Sequence, residues 1–176
     1  AAMADDPLGA IGPTGAPSLQ RFDAWVSTRA ERIAIRHAGS PPSTYGELGS
    51  LARRISSAIV TTVPASGPRV GILSEDAATL AASLLGTLKA NAVFVPLDPA
   101  NPRARLASIV ADTRPALLIA DESNVRLGER LAGAQIPLLR FASLPVAPTA
   151  ADPPPPAPAD ALAWILYTSS STGPPK

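Results

Sequence analysis

The spacing of apolar residues along the chain predicts alternating helices and strands. Leu19, Phe22, Trp25 and Val26 recur at the interval of one helical face, and the same period appears in four later stretches. This period predicts five helices, over about residues 18–29, 44–60, 77–90, 102–112 and 125–132. Short runs rich in apolar and β-branched residues lie between them and predict strands at residues 32–36, 69–73, 92–95, 116–120, 137–141 and 162–167.

Several helix ends carry recognisable capping residues. Thr44 is followed three residues later by Glu47, which predicts a capping box at the start of the second helix. Asp76 is the predicted cap of the third helix. Asn91 follows that helix where a left-handed backbone is needed, and Pro102 suits the first turn of the next helix.

The order of the elements indicates the class of fold. Strands alternate with helices, and several strands are apolar on both faces, which is typical of a sheet covered on both sides. We therefore expect an α/β fold, a doubly wound, mostly parallel sheet with flanking helices. In such sheets ligands bind beyond the carboxyl ends of the strands.

Two segments lack helical or strand periodicity and suggest the domain boundaries. Residues 1–17 are rich in Gly and Pro and read as a flexible lead. Residues 145–159 form a predicted connector, stiffened by the seven prolines between positions 145 and 158. A PxxP ligand for an SH3-type domain is the alternative there. The α/β subdomain would then span 18–144, with the last strand and its loop at 160–176.

Composition excludes several classes of function. Apolar residues make up 46% of the chain and charged residues 16%, which is typical of a globular domain. The net charge of +1 gives no electrostatic reason to expect nucleic acid or a membrane as partner. The absence of cysteine excludes disulfides and thiolate chemistry, and His37 is the one histidine. The chain shows neither an 18-residue apolar run nor a signal peptide, so we expect a cytoplasmic protein.

The last ten residues carry the candidate chemistry. The final predicted strand leads directly into Tyr167-Thr168-Ser169-Ser170-Ser171-Thr172-Gly173-Pro174-Pro175-Lys176. A strand followed by hydroxyl groups, a glycine and a lysine can hold phosphate, because backbone N–H groups and hydroxyls donate to its oxygens and the lysine adds positive charge. The chain contains no G-x-x-x-x-G-K-[ST] sequence, so this loop is not a Walker A motif.

This loop resembles the phosphate loop of the adenylate-forming enzymes, Tyr-Thr-Ser-Gly-(Ser/Thr)-Thr-Gly-x-Pro-Lys. Nine of the ten positions match, and Ser170 stands in place of glycine. Residues 44–48, Thr-Tyr-Gly-Glu-Leu, and residues 88–99, Leu-Lys-Ala-Asn-Ala-Val-Phe-Val-Pro-Leu-Asp-Pro, with Pro102, Arg105 and Leu106, are similar to two further motifs. Together they resemble the adenylation domains of nonribosomal peptide synthetases. Asn91 replaces the family's glycine and Phe94 its tyrosine.

The resemblance implies a reaction and its partners. A carboxylate, here an amino acid, would attack the α-phosphate of Mg-ATP to give an acyl-adenylate, and the acyl group would pass to a phosphopantetheine thiol on a carrier protein. Thr168, Ser169, Ser171 and Thr172 would bind the β- and γ-phosphates, Gly173 would admit them close to the backbone, and Lys176 would add charge or anchor the loop. Family members hold adenine, Mg²⁺ and the acyl group with residues beyond this loop, in the remainder of the adenylation domain.

Two questions stay open at this stage. Ser170 is either a tolerated substitution or the mark of a weakened phosphate loop, since a non-glycine residue at positive φ costs about 1 kcal/mol. The chain is expected to be the N-terminal part of an adenylate-forming ligase, inactive by itself. The alternatives are a non-catalytic interaction module with the same fold and a stand-alone nucleotide-binding α/β protein.

Overall fold

The computed structural model describes residues 18–38, 41–65, 67–145, 154, 157–158 and 160–168. In these ranges the helices are α1 (Ser18–Thr28), α2 (Tyr45–Thr62), α3 (Ala77–Lys89), α4 (Arg103–Thr113) and α5 (Val125–Ala132). The strands are β1 (Ile33–Ile35), β2 (Ser43–Thr44), β3 (Arg69–Leu73), β4 (Val93–Pro96), β5 (Leu117–Ala120) and β6 (Leu138–Arg140). None of the helices in these ranges is long and apolar enough to cross a membrane.

The main sheet is parallel and has the strand order β4-β3-β5-β6. Its two faces are covered by different helices. Leu48, Ile55 and Ile59 of α2 pack with the α3 residue Ala82 over one face. The apolar residues of α4 and α5 cover the opposite face. The predicted doubly wound α/β fold is therefore confirmed.

Strand β3 lies at the centre of this sheet and explains the apolar runs in the sequence. Val70 and Ile72 point to the side of α2 and α3, whereas Leu73 belongs to the core beneath α4. All three side chains are fully buried. A strand between two layers of helix has no wetted face, so both of its alternating sets of side chains are apolar.

The predicted caps are present at two helix starts and one helix end. The Thr44 hydroxyl accepts from the Glu47 backbone N–H at 3.2 Å, and the Glu47 carboxylate accepts from the Thr44 N–H at 2.8 Å. Asp76 accepts from the Thr79 N–H at 2.7 Å. Asn91 has φ of 52°, the left-handed conformation predicted for it.

Two local predictions need correction. Pro102 is the residue before helix α4, and its ψ of 137° is not helical, so it lies just outside the first turn and not within it. Ser43 and Thr44 form a short strand, β2, which pairs antiparallel with β1 before the chain turns into α2. A two-residue strand is too short to leave a periodic signal in the sequence.

The last predicted strand is an extended segment at the sheet edge with limited pairing. This edge segment (residues 160–168) forms one parallel bridge with β4, between Trp164 and Phe94. The Phe94 N–H donates to the Ala163 carbonyl at 3.1 Å, and the Ile165 N–H donates to the Phe94 carbonyl at 3.0 Å. The next donor on that side of β4 would be residue 96, and Pro96 has no N–H. The ladder therefore stops after one residue.

Helices α2 and α3 approach each other closely at Gly86. A Cβ at Gly86 would lie 2.7 Å from Ile55 Cβ and 2.8 Å from the Ala52 carbonyl oxygen. The carbonyl belongs to the helix backbone and cannot move aside by a rotamer change.

We predict that Gly86→Ala destabilises the fold. Overpacking typically costs about 1–3 kcal/mol, and a Cβ pressed against a helix backbone oxygen belongs in the upper part of that range. This cost exceeds the roughly 1 kcal/mol that alanine gains over glycine within a helix. The measurement is the free energy of unfolding in urea. Ser108→Ala, an exposed change on α4, is the control and should shift stability by no more than about 0.5 kcal/mol. A Gly86→Ala protein as stable as the wild type would contradict the packing described.

Candidate functional site

A cleft opens at the carboxyl edge of the sheet, where β3, β4 and the edge segment end. Its volume is about 650 Å³. The apolar walls come from strand and helix residues, among them Ile72, Leu80 and Ile109. The polar lining consists of Ser74, Glu75, Asp98, Asn101, Arg105 and Tyr167. The cleft therefore lies where parallel α/β sheets usually bind ligands.

The neighbouring point of this edge, between β3 and β5, is filled by Asp121. Its carboxylate accepts from the Glu75 N–H at 2.9 Å and from the Asn124 side-chain amide at 2.8 Å. Burial alone would raise the pKa of Asp121, but hydrogen bonds from Ser74, Asn124 and the backbone at Glu75 and Asp76 together lower it. This carboxylate therefore ties the ends of β3 and β5 together, and the cleft opens on the β4 side of β3.

Helix α4 holds the chain at the start of the candidate loop through two contacts. The Arg105 guanidinium donates from Nη2 to the Thr168 carbonyl oxygen at 3.1 Å. The Tyr167 hydroxyl donates to Oδ2 of Asp112. Arg105 and Asp112 are two helical turns apart, about 10 Å along the axis at 1.5 Å per residue. Two consecutive residues of the edge segment are thus bound to one face of one helix.

The hydroxyl of Tyr167 has a strongly shifted pKa. Burial raises the pKa of Tyr167 to about 12, and the neighbouring Asp112 carboxylate acts in the same direction. The hydroxyl therefore keeps its proton and its contact with Asp112 over the whole neutral range.

The described residues include only the beginning of the predicted phosphate loop. Thr168 is exposed, and its carbonyl accepts from Arg105, a residue that lines the cleft. The other predicted phosphate-binding residues, Ser169, Ser170, Ser171, Thr172, Gly173 and Lys176, lie outside the described residues.

Three residues of the family-like motif at residues 88–106 lie around this site and make different contacts. Phe94, which replaces the family's tyrosine, stacks on Trp164 with ring centroids 5.9 Å apart and an angle of 23°. Asp98 accepts from the Ala100 N–H at 2.9 Å and so stabilises the turn after β4. Arg105 reaches Thr168, 63 residues away in sequence. From the sequence, Arg105 was identified only as a residue of this motif, and no contact was predicted for it.

The charges in the cleft indicate where a polyphosphate could bind. Among the lining residues Arg105 is the cation, and Glu75 and Asp98 are carboxylates. Phosphate would be favoured beside Arg105 and the chain leaving Thr168, and disfavoured beside the carboxylates. The described residues contain no group of three or more His, Cys, Asp or Glu side chains that could hold a metal ion.

The fold and the motifs agree with comparisons to known proteins. The family model of the AMP-binding enzymes matches residues 22–176. The chain belongs to this family. A match over nearly the whole chain includes the predicted phosphate loop and both of the earlier motifs.

Several curated relatives of the chain are large synthetases. The chain is 34% identical over 155 residues to the hybrid PKS-NRPS synthetase LUC5 of a Fusarium species, covering 88% of the chain and 4% of that protein. It is 33% identical over 168 residues to surfactin synthase subunit 2 of Bacillus subtilis, covering 93% of the chain and 5% of that protein. The chain thus spans only about a twentieth of the length of such relatives.

Among solved structures, the nonribosomal peptide synthetase FmoA3 has the same fold. Its TM-score is 0.72 at 28% identity, and the match covers 89% of the chain and 17% of FmoA3. A second structure of FmoA3, with α-methyl-L-serine-AMP bound, has a TM-score of 0.70 at 27% identity. The adenylate is thus a ligand of that synthetase.

We predict that Tyr167→Phe lowers stability by about 1 kcal/mol at pH 8 through loss of the contact with Asp112. Because folding raises the pKa from 10.0 to about 12, the contribution is full below pH 10 and disappears as the pH rises through about 12. The measurement is urea unfolding of both proteins at pH 8, 10 and 12. Tyr45→Phe is the control for loss of a phenolic hydroxyl elsewhere. A constant difference across this range would contradict the assignment.

Proposed function

We propose that this chain is the phosphate-binding N-terminal part of an ATP-dependent adenylate-forming ligase. The enzyme would activate an amino acid through its carboxylate, giving an acyl-adenylate and pyrophosphate, and transfer the acyl group to the phosphopantetheine thiol of a carrier protein. The observation that carries the proposal is the position of Thr168. Thr168 is the last described residue of the edge segment, and its carbonyl accepts from Arg105, which lines the cleft. The hydroxyl-rich sequence continues from this residue.

The loop residues have defined tasks in this proposal. Thr168, Ser169, Ser171 and Thr172 donate hydroxyl hydrogen bonds to the β- and γ-phosphates, and Gly173 allows close approach of the backbone. Lys176 adds a positive charge to the same group or anchors the loop. Ser170 occupies the position of the family's glycine and places one more hydroxyl beside the phosphates. Bound Mg-ATP supplies the phosphorus that the carboxylate attacks, and the loop's part is to orient its phosphates for in-line displacement.

The proposed substrate class is supported by the motif and by the relatives. The Val-Pro-Leu-Asp-Pro sequence at residues 95–99 is similar to that of amino-acid-activating members rather than acyl-CoA synthetases or luciferases. The relatives that match over most of the chain include nonribosomal peptide synthetases, and FmoA3 binds an amino-acyl adenylate. An amino acid and a carrier protein are therefore the partners we propose, together with the remainder of the adenylation domain.

The proposal includes a division of the chain into segments. Residues 18–144 form the α/β subdomain, and residues 160–176 form the edge segment and phosphate loop. Residues 145–159 connect the two, and residues 1–17 are a lead. The connector returns the chain from β6, at one edge of the sheet, to the edge segment beside β4 at the other.

We predict that the chain binds Mg-ATP and that Lys176→Ala weakens binding about tenfold, the size expected for one charge-assisted contact to phosphate. Isothermal titration of Mg-ATP measures both dissociation constants. Arg126→Ala removes one exposed positive charge from α5 and should leave the constant unchanged. Failure of the wild-type chain to bind Mg-ATP would contradict the proposed function and favour a non-catalytic interaction module.

The 176 residues by themselves should not catalyse ATP–pyrophosphate exchange with any of the twenty amino acids. The resemblance assigns adenine, Mg²⁺ and the acyl group to residues that follow the phosphate loop, so the reacting groups would not be aligned. The exchange assay uses radiolabelled pyrophosphate, with a complete adenylation domain of known specificity as positive control. Amino-acid-dependent exchange by the purified chain would refute this expectation.

A further inference from the structure

We propose that Arg105 is a positioning residue for the phosphate loop: its guanidinium holds the Thr168 carbonyl and so sets where the loop begins relative to the cleft. The inference rests on the proposed function and deepens it. The ligand class concerned is a polyphosphate, with the triphosphate of Mg-ATP as the substrate form.

The contact itself is specific in geometry. Nη2 of Arg105 lies 3.1 Å from the Thr168 carbonyl oxygen. The guanidinium is planar with its donors in a fixed fork, so a contact through one nitrogen also fixes the direction of the others. Thr168 is the residue from which the loop continues, and its carbonyl orients the peptide bond to Ser169. Arg105 therefore acts on the first peptide unit of the loop.

The Arg105 side chain is not fully satisfied by this contact. Its Nε is buried and has no hydrogen-bond partner within the described part of the chain. Buried donors without partners are rare and cost about 1–3 kcal/mol. A buried donor without a partner beside the cleft points to a site that is completed by a further group.

Within the described ranges Arg105 forms no ion pair, although the carboxylates of Glu75 and Asp98 line the same cleft. The ion pairs found in these ranges join Lys89 to Asp23 and Arg140 to Glu129, and neither involves Arg105. The side chain is half-buried and lines the cleft together with Tyr167. A partly desolvated cation at the start of a hydroxyl-rich loop attracts phosphate more strongly than an exposed one does. The missing counter-charge is therefore assigned to the ligand.

Tyr167 provides the second fixed point that makes this positioning effective. Its hydroxyl is bound by Asp112 on the same helix, so α4 holds two consecutive residues of the edge segment. A change at Arg105 removes one of these two points and should loosen the edge segment between residues 163 and 168.

The test uses the 176-residue chain with Arg105→Gln, Arg105→Lys and the control Arg103→Gln. Arg103 is an exposed residue of the same helix, so the control removes the same charge two residues away. Hydrogen exchange of peptides covering residues 163–168 reports on the anchoring, and titration with Mg-ATP and with inorganic tripolyphosphate reports on phosphate binding. The thermal unfolding midpoint checks that each variant is folded.

We expect Arg105→Gln to raise exchange in this segment by at least about fivefold and to raise both dissociation constants about tenfold. Arg105→Lys keeps the charge but lacks the fork, so it should recover part of the binding and little of the exchange protection. The midpoints of all variants should stay within about 3 °C of the wild type. Arg103→Gln should match the wild type in every measurement.

Several outcomes would overturn the inference. Unchanged exchange in Arg105→Gln would show that the residue does not anchor the segment. Faster exchange with unchanged dissociation constants would show an anchor with no role in phosphate binding. Equal effects of Arg103→Gln and Arg105→Gln would show that the loss of one positive charge, and not the loss of the Arg105 contact, causes the change. If the wild-type chain binds neither Mg-ATP nor tripolyphosphate, the proposed function and this inference are both wrong. If the wild type binds and Arg105→Gln binds with the same dissociation constants, only this inference is wrong.

Discussion

Strand β3 is paired with a strand on both sides and covered by helices on both faces. Its buried position fixes where the loops and the cleft lie at the carboxyl edge of the sheet. Val70, Ile72 and Leu73 have at most 1% of their surface exposed. Because β4 and β5 are hydrogen-bonded to β3 in fixed parallel register, the loops that follow these strands meet at one edge. The Asp121 carboxylate then ties the β3 and β5 loops together, which leaves the β4 side as the place for a cleft.

Helix α4 connects this framework to the candidate loop. Its buried residues Leu106, Ile109 and Val110 hold it against the sheet, and its polar residues Arg105 and Asp112 contact the edge segment. The edge segment itself is weakly paired, since Pro96 ends its ladder with β4 after one bridge. Its position therefore depends on side chains of α4 and on the stacking of Trp164 on Phe94 as much as on the sheet.

The departures from the family motifs have physical compensation in two of three cases. Asn91 adopts the left-handed conformation that glycine would provide, at φ of 52°. Phe94 lacks the tyrosine hydroxyl but keeps a ring, which packs on Trp164. Ser170 lies outside the described residues. The membership of the AMP-binding enzymes rests on the match over residues 22–176 and does not depend on this position.

Local features of the sequence determined the helices, the strands of the main sheet and the caps at Thr44, Asp76 and Asn91, but not the two-residue strand β2. The capping box of Thr44 and Glu47, the Asp76 cap and the turn at Asn91 each depend on residues within a few positions of one another, so spacing alone predicts them. The phosphate loop was predicted in the same way, from ten consecutive residues. The strand order β4-β3-β5-β6, the single bridge to Trp164 and the contacts of Arg105 and Asp112 appeared only in the tertiary structure. These contacts join residues 55 and 63 positions apart, and periodicity carries no information on which distant side chains meet, because that depends on how the helices pack over the sheet.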